Sequence, residues 1–251
     1  MDSEQTQEIL SLRERKLTPK QIARKMGLKV SDVTGFLKEQ AEQVAIAREE
    51  SGELPPLVEC LVNTNCLHRL FPPEDELNPA SDEDEDDEIH NKRGPGFAIV
   101  TVTRSPGFNR YITCNYLVDY WCLGVKDASG PRKYNRSEYE RIINLYYDSL
   151  IGGSERISLT EAQAIVWGAV EYAEKLGFKP HADFEKAKKY LGEWDREVEI
   201  EFGDNGKPLY HSGPYDNPTS IINTLNKSVG EGNYHYIVGL NPDNEEFSDF
   251  I

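Results

Sequence analysis

The stretch GFAIVTVTRSPGFNRYITCNYLVDYWCLGVKDA, residues 96–128, carries the strongest strand pattern of the chain. Its first part, residues 96–104, is rich in branched residues and predicts a strand, and SPGFN supplies the residues of a turn. Residues 110–128 are aromatic and branched, and they predict one long strand that runs antiparallel to the first. The fold therefore depends on a sheet that starts from this pair.

Helical periodicity follows the strand pair over residues 136–150, 160–177 and 182–192. In the second of these patterns the apolar face consists of Ile165, Ala169, Val170, Ala173 and Leu176. Residues 197–213 predict a hairpin, because apolar residues alternate before the turn residues DNG. Residues 216–232 predict a helix that Asp216 or Asn217 caps, and residues 233–238 predict a last strand.

These patterns together predict an α+β fold for the chain. We expect residues 96–251 to form one domain, a mixed and mainly antiparallel sheet with helices on one face. The segments YLVDYWCLGVKDA and EFGDNGKPLYHSGPYDNP resemble those of a group of uncharacterised bacterial proteins, over roughly residues 96–238. That resemblance implies a domain boundary and no particular activity.

Composition limits the classes of protein that the chain can represent. It has 251 residues, a formal net charge of −16 and 38% hydrophobic residues, enough to build a sizeable core. No apolar run reaches the roughly 18 residues of a membrane span, and the acidic N-terminus differs from a secretory signal. We therefore expect a cytoplasmic protein without membrane contact, and its four cysteines as free thiols.

A second decisive stretch is LTPKQIARKMGLKVSDVTGFLKE, residues 17–39. Thr18 and Gln21 form a capping-box pattern around Pro19 at the first helical position, and Gly27 ends this helix. Ser31 is placed to cap the next helix, whose inward residues would be Val33, Phe36 and Leu37. With a preceding helix over residues 5–16, the stretch predicts three helices with a tight glycine turn.

This stretch resembles the helix-turn-helix modules of sigma-factor and repressor families, over about 45 residues. The resemblance implies a domain at residues 1–54 whose third helix enters the major groove of DNA. Ser31, Thr34, Gly35 and Lys38, with Lys29, would then face the groove, and Lys20, Arg24 and Lys25 would face phosphates.

The distribution of charge agrees with that implication. Residues 11–38 hold eight basic and two acidic side chains, a local charge of +6 in a chain whose remainder carries −22. We predict a nucleic-acid-binding regulator or adaptor that contacts DNA or RNA and needs no cofactor. Residues 96–251 would supply oligomerisation or a protein partner. A scaffold whose three helices contact only protein stays open as an alternative.

Residues 55–95 are interpreted as a linker with one short strand near its start. Between residues 74 and 88 ten side chains are acidic, which predicts a solvated, self-repelling segment. A solubilising role is the simpler hypothesis. The alternative is an electrostatic gate in which this segment competes with phosphate for the basic helices.

The sequence also holds candidate residues for a metal site and for a catalytic cleft. Cys60, Cys66, His68 and His90 fit none of the usual zinc spacings, so we predict no metal site. An acid–base or nuclease-like cleft would form if two segments met, and this enzyme hypothesis stays open. The residues of that cleft would be Asp119, Cys122, Lys126 and Asp127 with Lys207, His211, Tyr215 and Asp216.

Overall fold

The structure is a computed structural model that describes residues 2–72 and 96–239. The acidic segment 74–88 and His90 lie outside these described residues. Within the two ranges the chain forms eight helices, a five-stranded antiparallel sheet and a two-stranded sheet. The α+β class predicted from the sequence is therefore confirmed.

Three helices open the chain: α1 (Ser3–Glu14), α2 (Pro19–Met26) and α3 (Val30–Ser51). The capping box of α2 forms as predicted, since Gln21 N donates to Thr18 Oγ1 (3.3 Å) and Thr18 N donates to Gln21 Oε1 (2.8 Å). Gly27 ends α2 with φ 67°, a left-handed conformation that glycine adopts without steric cost. The buried side chains shared by the three helices are Ile9, Leu12, Ile22, Ala23 and Val33.

The start of α3 differs from the prediction. The helix begins at Val30, and the Ser31 hydroxyl donates to Asp32 Oδ1 (2.9 Å) instead of capping the helix. Ser31 therefore lies in the first turn. The 22 residues of α3, at about 1.5 Å each, span about 33 Å, so this helix extends well beyond the small core of the first three helices.

The large sheet consists of β1 (Leu57–Asn63), β2 (Phe97–Gly107), β3 (Arg110–Asp119), β4 (Gly124–Tyr134) and β5 (Ser154–Ile157). Its spatial order is β4–β3–β2–β1–β5, and every neighbouring pair is antiparallel. A 3₁₀ turn (Thr64–Cys66) and the short helix α4 (Leu67–Leu70) follow β1. The sheet therefore starts at Leu57, inside the range that the sequence analysis assigned to a linker.

Residues 110–128 form two strands, so the prediction of a single long strand is wrong. β3 ends at Asp119 and β4 begins at Gly124. Asp119 Oδ1 accepts hydrogen bonds from Trp121 N (3.0 Å) and Cys122 N (2.9 Å), an arrangement that holds the chain in a turn. The residues of this turn are aromatic and apolar like those of the strands, so the sequence pattern gives no sign of it.

Helices cover both faces of the sheet, although the sequence predicted them on one face only. α6 (Leu159–Lys175) and α7 (Phe184–Leu191) pack on the apolar face, which includes Val100, Val102 and Tyr116. α5 (Arg136–Tyr147) covers the other face, where its tyrosine hydroxyls reach threonines of β2. Those pairs are Tyr139–Thr103 (3.2 Å) and Tyr147–Thr101 (2.8 Å). The opposite faces follow from strand alternation, which separates Val100 and Val102 from Thr101 and Thr103.

The hairpin predicted over residues 197–213 is wrong. Asp204 and Lys207 form the expected turn as an isolated bridge, but residues 197–202 form no strand. Instead β6 (Leu209–His211) pairs in parallel with β7 (His235–Ile237), and α8 (Pro218–Ser228) connects them. Asn217 caps α8 as expected, since its Oδ1 accepts from Ser220 N (3.0 Å).

The four cysteines, Cys60, Cys66, Cys114 and Cys122, are all free and buried. Among the described helices, none combines the length and the apolar composition that a membrane crossing requires.

Gly124, at the start of β4, is a glycine whose substitution the fold tolerates poorly. Its φ is 69°, and an added Cβ would lie 2.6 Å from Ala173 Cβ and 2.8 Å from Ala169 O of α6. We expect Gly124→Ala to lower the free energy of unfolding by about 3 kcal/mol, from backbone strain and overpacking together. Denaturant unfolding of the wild type and the variant measures this difference in free energy.

The matched control is Gly153→Ala, because Gly153 also has a positive φ (67°) but no atom within 4 Å of an added Cβ. Backbone strain alone should cost about 1 kcal/mol there. Equal losses in the two variants would contradict the close contact between α6 and the start of β4.

Candidate nucleic-acid interface

All seven residues that the sequence analysis assigned to nucleic-acid binding are exposed in the structure. They lie on α2, on the turn that follows it and on the first half of α3. The set comprises Lys20, Arg24, Lys25, Lys29, Ser31, Thr34 and Lys38. The fold therefore leaves each of these side chains accessible from solution.

The first half of α3 has one exposed side and one buried side. Ser31, Thr34, Gly35 and Lys38 share the exposed side, because residues three and four positions apart lie on the same face of a helix. Val33 and its neighbours Phe36 and Leu37 pack into the small core from the opposite side. The residues that would face the groove thus point away from the other two helices.

The basic side chains of this surface are not neutralised by any carboxylate in residues 2–72 and 96–239. Among the described residues, Lys20, Arg24, Lys25, Lys29 and Lys38 form no ion pair with a carboxylate. An ammonium or guanidinium without such a partner is free to neutralise a phosphate.

Two acidic residues flank the exposed side of α3 and weaken its positive potential. Asp32 and Glu39 are exposed, and they lie one helical position from Ser31 and Lys38. Each carboxylate repels a nearby phosphate, so the surface is less cationic than its lysines alone suggest. Most of the positive charge of the module therefore lies on α2 and on the turn that contains Lys29.

The second half of α3 contacts the sheet. Arg110 Nη2 at the start of β3 lies 2.9 Å from Glu42 Oε1, and an added Cβ on Gly107 would lie 3.5 Å from Ala41 Cβ. No local sequence pattern predicts this contact, since Glu42 and Arg110 are 68 positions apart and share no motif. It joins the basic helices to the β2–β3 hairpin.

The segments of the hypothetical catalytic cleft meet at one ion pair. Lys126 Nζ of β4 lies 2.8 Å from Asp216 Oδ2, and both side chains are largely buried. Asp216 Oδ2 also accepts from Gly213 N (2.8 Å), and Tyr210 OH lies 3.4 Å from it. These contacts hold the loop before α8 against β4, which is a structural role for the pair.

The other residues of that hypothesis do not join the pair. Asp127, Lys207, His211 and Tyr215 are exposed, and none of them bonds to Lys126 or Asp216 in the described part of the chain. Asp127 Oδ1 lies 3.6 Å from His181 Nδ1 instead. The structure therefore does not gather an acid, a base and a histidine in one cleft.

Asp119 is the most unusual ionisable group of this region. It is almost fully buried, and burial raises the pKa of its carboxyl to about 6. Backbone N–H groups of the following turn and the nearby Lys126 lower that pKa but do not restore it to the ordinary range. Its hydrogen bonds to Trp121 N and Cys122 N make it the residue that closes the turn between β3 and β4.

Metal binding finds no support in the described residues. In residues 2–72 and 96–239 no three His, Cys, Asp or Glu side chains lie together as metal ligands would. Cys60, Cys66 and Cys114 are buried, and burial raises the pKa of each thiol to about 12, which opposes formation of the thiolate that binds zinc.

Comparisons of the chain with protein-family models, with curated proteins and with solved structures found no match.

The high pKa of Asp119 makes the stability of the fold depend on pH. A carboxyl whose pKa is higher in the folded chain than in the unfolded chain stabilises the fold when it is protonated, and this contribution disappears as the pH rises through about 6. Relative to Asp119→Asn, the wild type should lose about 2 kcal/mol of unfolding free energy between pH 4 and pH 7.5.

Urea unfolding of both proteins across this range measures the difference. Asparagine keeps the acceptor oxygen that closes the turn, and all other ionisable groups are common to the two proteins, so their contributions cancel in the comparison. Parallel stability curves for the two proteins would show that the Asp119 carboxyl is not buried as described.

Proposed function

We propose that the chain is a helix-turn-helix nucleic-acid-binding protein that acts as a transcriptional regulator or adaptor. One observation carries the proposal: the basic side chains of α2, of the first half of α3 and of the turn between them are exposed and have no carboxylate partner among the described residues, in a chain that is otherwise strongly acidic. The left-handed turn at Gly27 and the buried Ala23 and Val33 support the same conclusion, since they set two short-linked helices against each other.

In the proposed complex the first half of α3 enters the major groove of duplex DNA. Thr34 and Lys38 would reach base edges, while Lys20 and Arg24 of α2 would contact the phosphates. Lys29, in the turn, lies between the two helices and would face the groove, near enough to its edge to contact a phosphate.

A single module of this size makes few phosphate contacts, so specific binding requires a second copy or a partner. We assign that role to residues 96–251, which carry most of the large sheet and the helices that cover it. The exposed apolar side chains Leu145 and Ile151, which are 72% and 87% exposed, support a contact surface there. Sedimentation equilibrium of the full chain tests self-association, and a monomer at all concentrations would exclude it.

The proposal is tested by titrating labelled duplex DNA, and duplex RNA in parallel, with the full chain at several salt concentrations. Lys29→Glu should weaken DNA binding about tenfold, equivalent to about 1.4 kcal/mol, because one phosphate contact is lost and a repulsive charge is gained. The slope of log affinity against log salt should fall by about 0.9.

Lys227→Glu is the matched control. Lys227 is an exposed lysine of α8 that forms no ion pair within the described residues, and it lies outside the basic helices. Equal weakening by both substitutions would indicate a general charge effect. Absence of binding to either duplex at low salt, together with a stoichiometric protein partner, would favour the protein-binding scaffold instead.

A further inference from the structure

A cavity of about 560 Å³ lies where the C-terminal part of α3 meets the sheet. Small-molecule sites in proteins occupy about 300–1,000 Å³, so this cavity has the size of a ligand site. Its walls come from the end of α3, the β2–β3 hairpin, the end of β4 and the end of α7. Basic and aromatic side chains contribute to the lining, among them Arg48, Arg110, Tyr111, Lys133, Tyr134 and Lys189.

The lining is cationic, with four basic side chains against the carboxylates of Glu53 and Glu138. Arg110 is paired with Glu42, and Arg48 lies 3.9 Å from Glu53. Glu138 belongs to the capping box of α5, where its Oε2 accepts from Asn135 N. The capping bond leaves Glu138 charged, so the two lysines of the cavity outweigh one remaining carboxylate and the lining stays cationic.

Lys133 and Lys189 have no carboxylate partner within the described residues. Both are exposed, and they approach the cavity from β4 and from α7. Two ammonium groups without counter-ions match the charge of about −2 that a phosphate monoester carries near pH 7.

A buried cation lies directly behind the same wall. Arg104 donates to the carbonyl oxygens of Pro55 (3.0 Å) and Tyr190 (2.7 Å), and both of these residues line the cavity. The guanidinium has no carboxylate partner within the described residues, and it adds positive potential where the chain as a whole is acidic.

Aromatic rings occupy another part of the cavity. Tyr111 and Tyr134 are directly opposite each other on β3 and β4, so their side chains stand on the same face of the sheet. Ile112 and Lys133 form the next pair and stand on the other face. Tyr111 is itself held by a parallel stack on Tyr139, with ring centroids 4.6 Å apart. At the end of β4, the two tyrosine rings therefore stand on one face of the sheet and Lys133 stands on the other.

We infer that this cavity binds a nucleotide, with the phosphate at Lys133 and Lys189 and the base against Tyr111 and Tyr134. A nucleotide carries its anion and its planar ring at opposite ends of a sugar, which is the separation that the two sides of the strand end provide. The amide side chains of Asn109 and Asn135 also line the cavity and offer donors and acceptors to the ligand.

The inferred site would regulate the proposed nucleic-acid interface, and this part rests on the proposed function. Ala45, Ile46 and Arg48 of α3 line the cavity, while Thr34 and Lys38 of the same helix belong to the basic surface. Both halves belong to one continuous helix, so a ligand that shifts the second half relative to the sheet also shifts the first half. By linkage, the ligand and the nucleic acid must then change each other's affinity by the same factor.

The direct test is calorimetric titration of the full chain with the 5′-monophosphates of adenosine, guanosine, cytidine and uridine. At least one should bind, and adenosine or guanosine alone and inorganic phosphate alone should each bind at least tenfold more weakly. The double variant Lys133→Gln/Lys189→Gln should weaken nucleotide binding at least tenfold, and Tyr134→Leu about fivefold. Lys227→Gln, in α8, is the matched control that should bind as the wild type does.

The inference is overturned if none of the four nucleotides binds, if the lysine variants bind them as the wild type does, or if phosphate alone binds equally well. Thermal unfolding of each variant shows whether the fold is intact. DNA titration with and without the bound nucleotide separates the two proposals. Nucleotide binding without any DNA binding would refute the regulator and keep the site, whereas DNA binding without nucleotide binding would refute the site alone.

Discussion

The side chain of Arg104 holds three parts of the molecule at one point. It extends from β2, and its guanidinium donates to Pro55, on the segment that leaves α3, and to Tyr190, near the end of α7. Burial lowers the pKa of this guanidinium, yet arginine stays charged in proteins. A buried charge without a carboxylate is tolerated only when carbonyl dipoles solvate it, so the positions of both segments depend on this one residue.

A single helix, α3, takes part both in the exposed basic surface and in the contact with the sheet. The first half of α3 faces solvent beside exposed basic groups, and its second half lies against the β2–β3 hairpin through Glu42 and Arg110. The cavity beside the second half of α3 is lined by residues that lie far apart in the sequence. The proposed nucleic-acid surface, the proposed ligand site and the contact with the sheet therefore all involve one continuous helix.

The sequence predicted local features well and distant contacts poorly. Thr18, Gln21 and Gly27 determine their own turns, so the start and end of α2 were predictable from neighbouring residues. Asp119 lies in an alternating apolar pattern that predicts a strand, yet its carboxylate closes a turn. β1 lies in the range interpreted as a linker, because its partners Val100 and Ile157 come much later in the chain. The exposed basic surface followed from the sequence, whereas the cavity depends on packing that no local pattern encodes.

The four buried thiols carry a practical consequence. A thiol reacts with alkylating reagents only as the thiolate, and burial raises the pKa of Cys60, Cys66 and Cys114 to about 12. Cys122 lies in the turn that Asp119 closes, and its pKa is raised as well. In the folded protein these thiols should not react with an alkylating label. The rate at which each cysteine is labelled would then report how often its own strand or turn opens. The four cysteines thus give four separate measures of local unfolding.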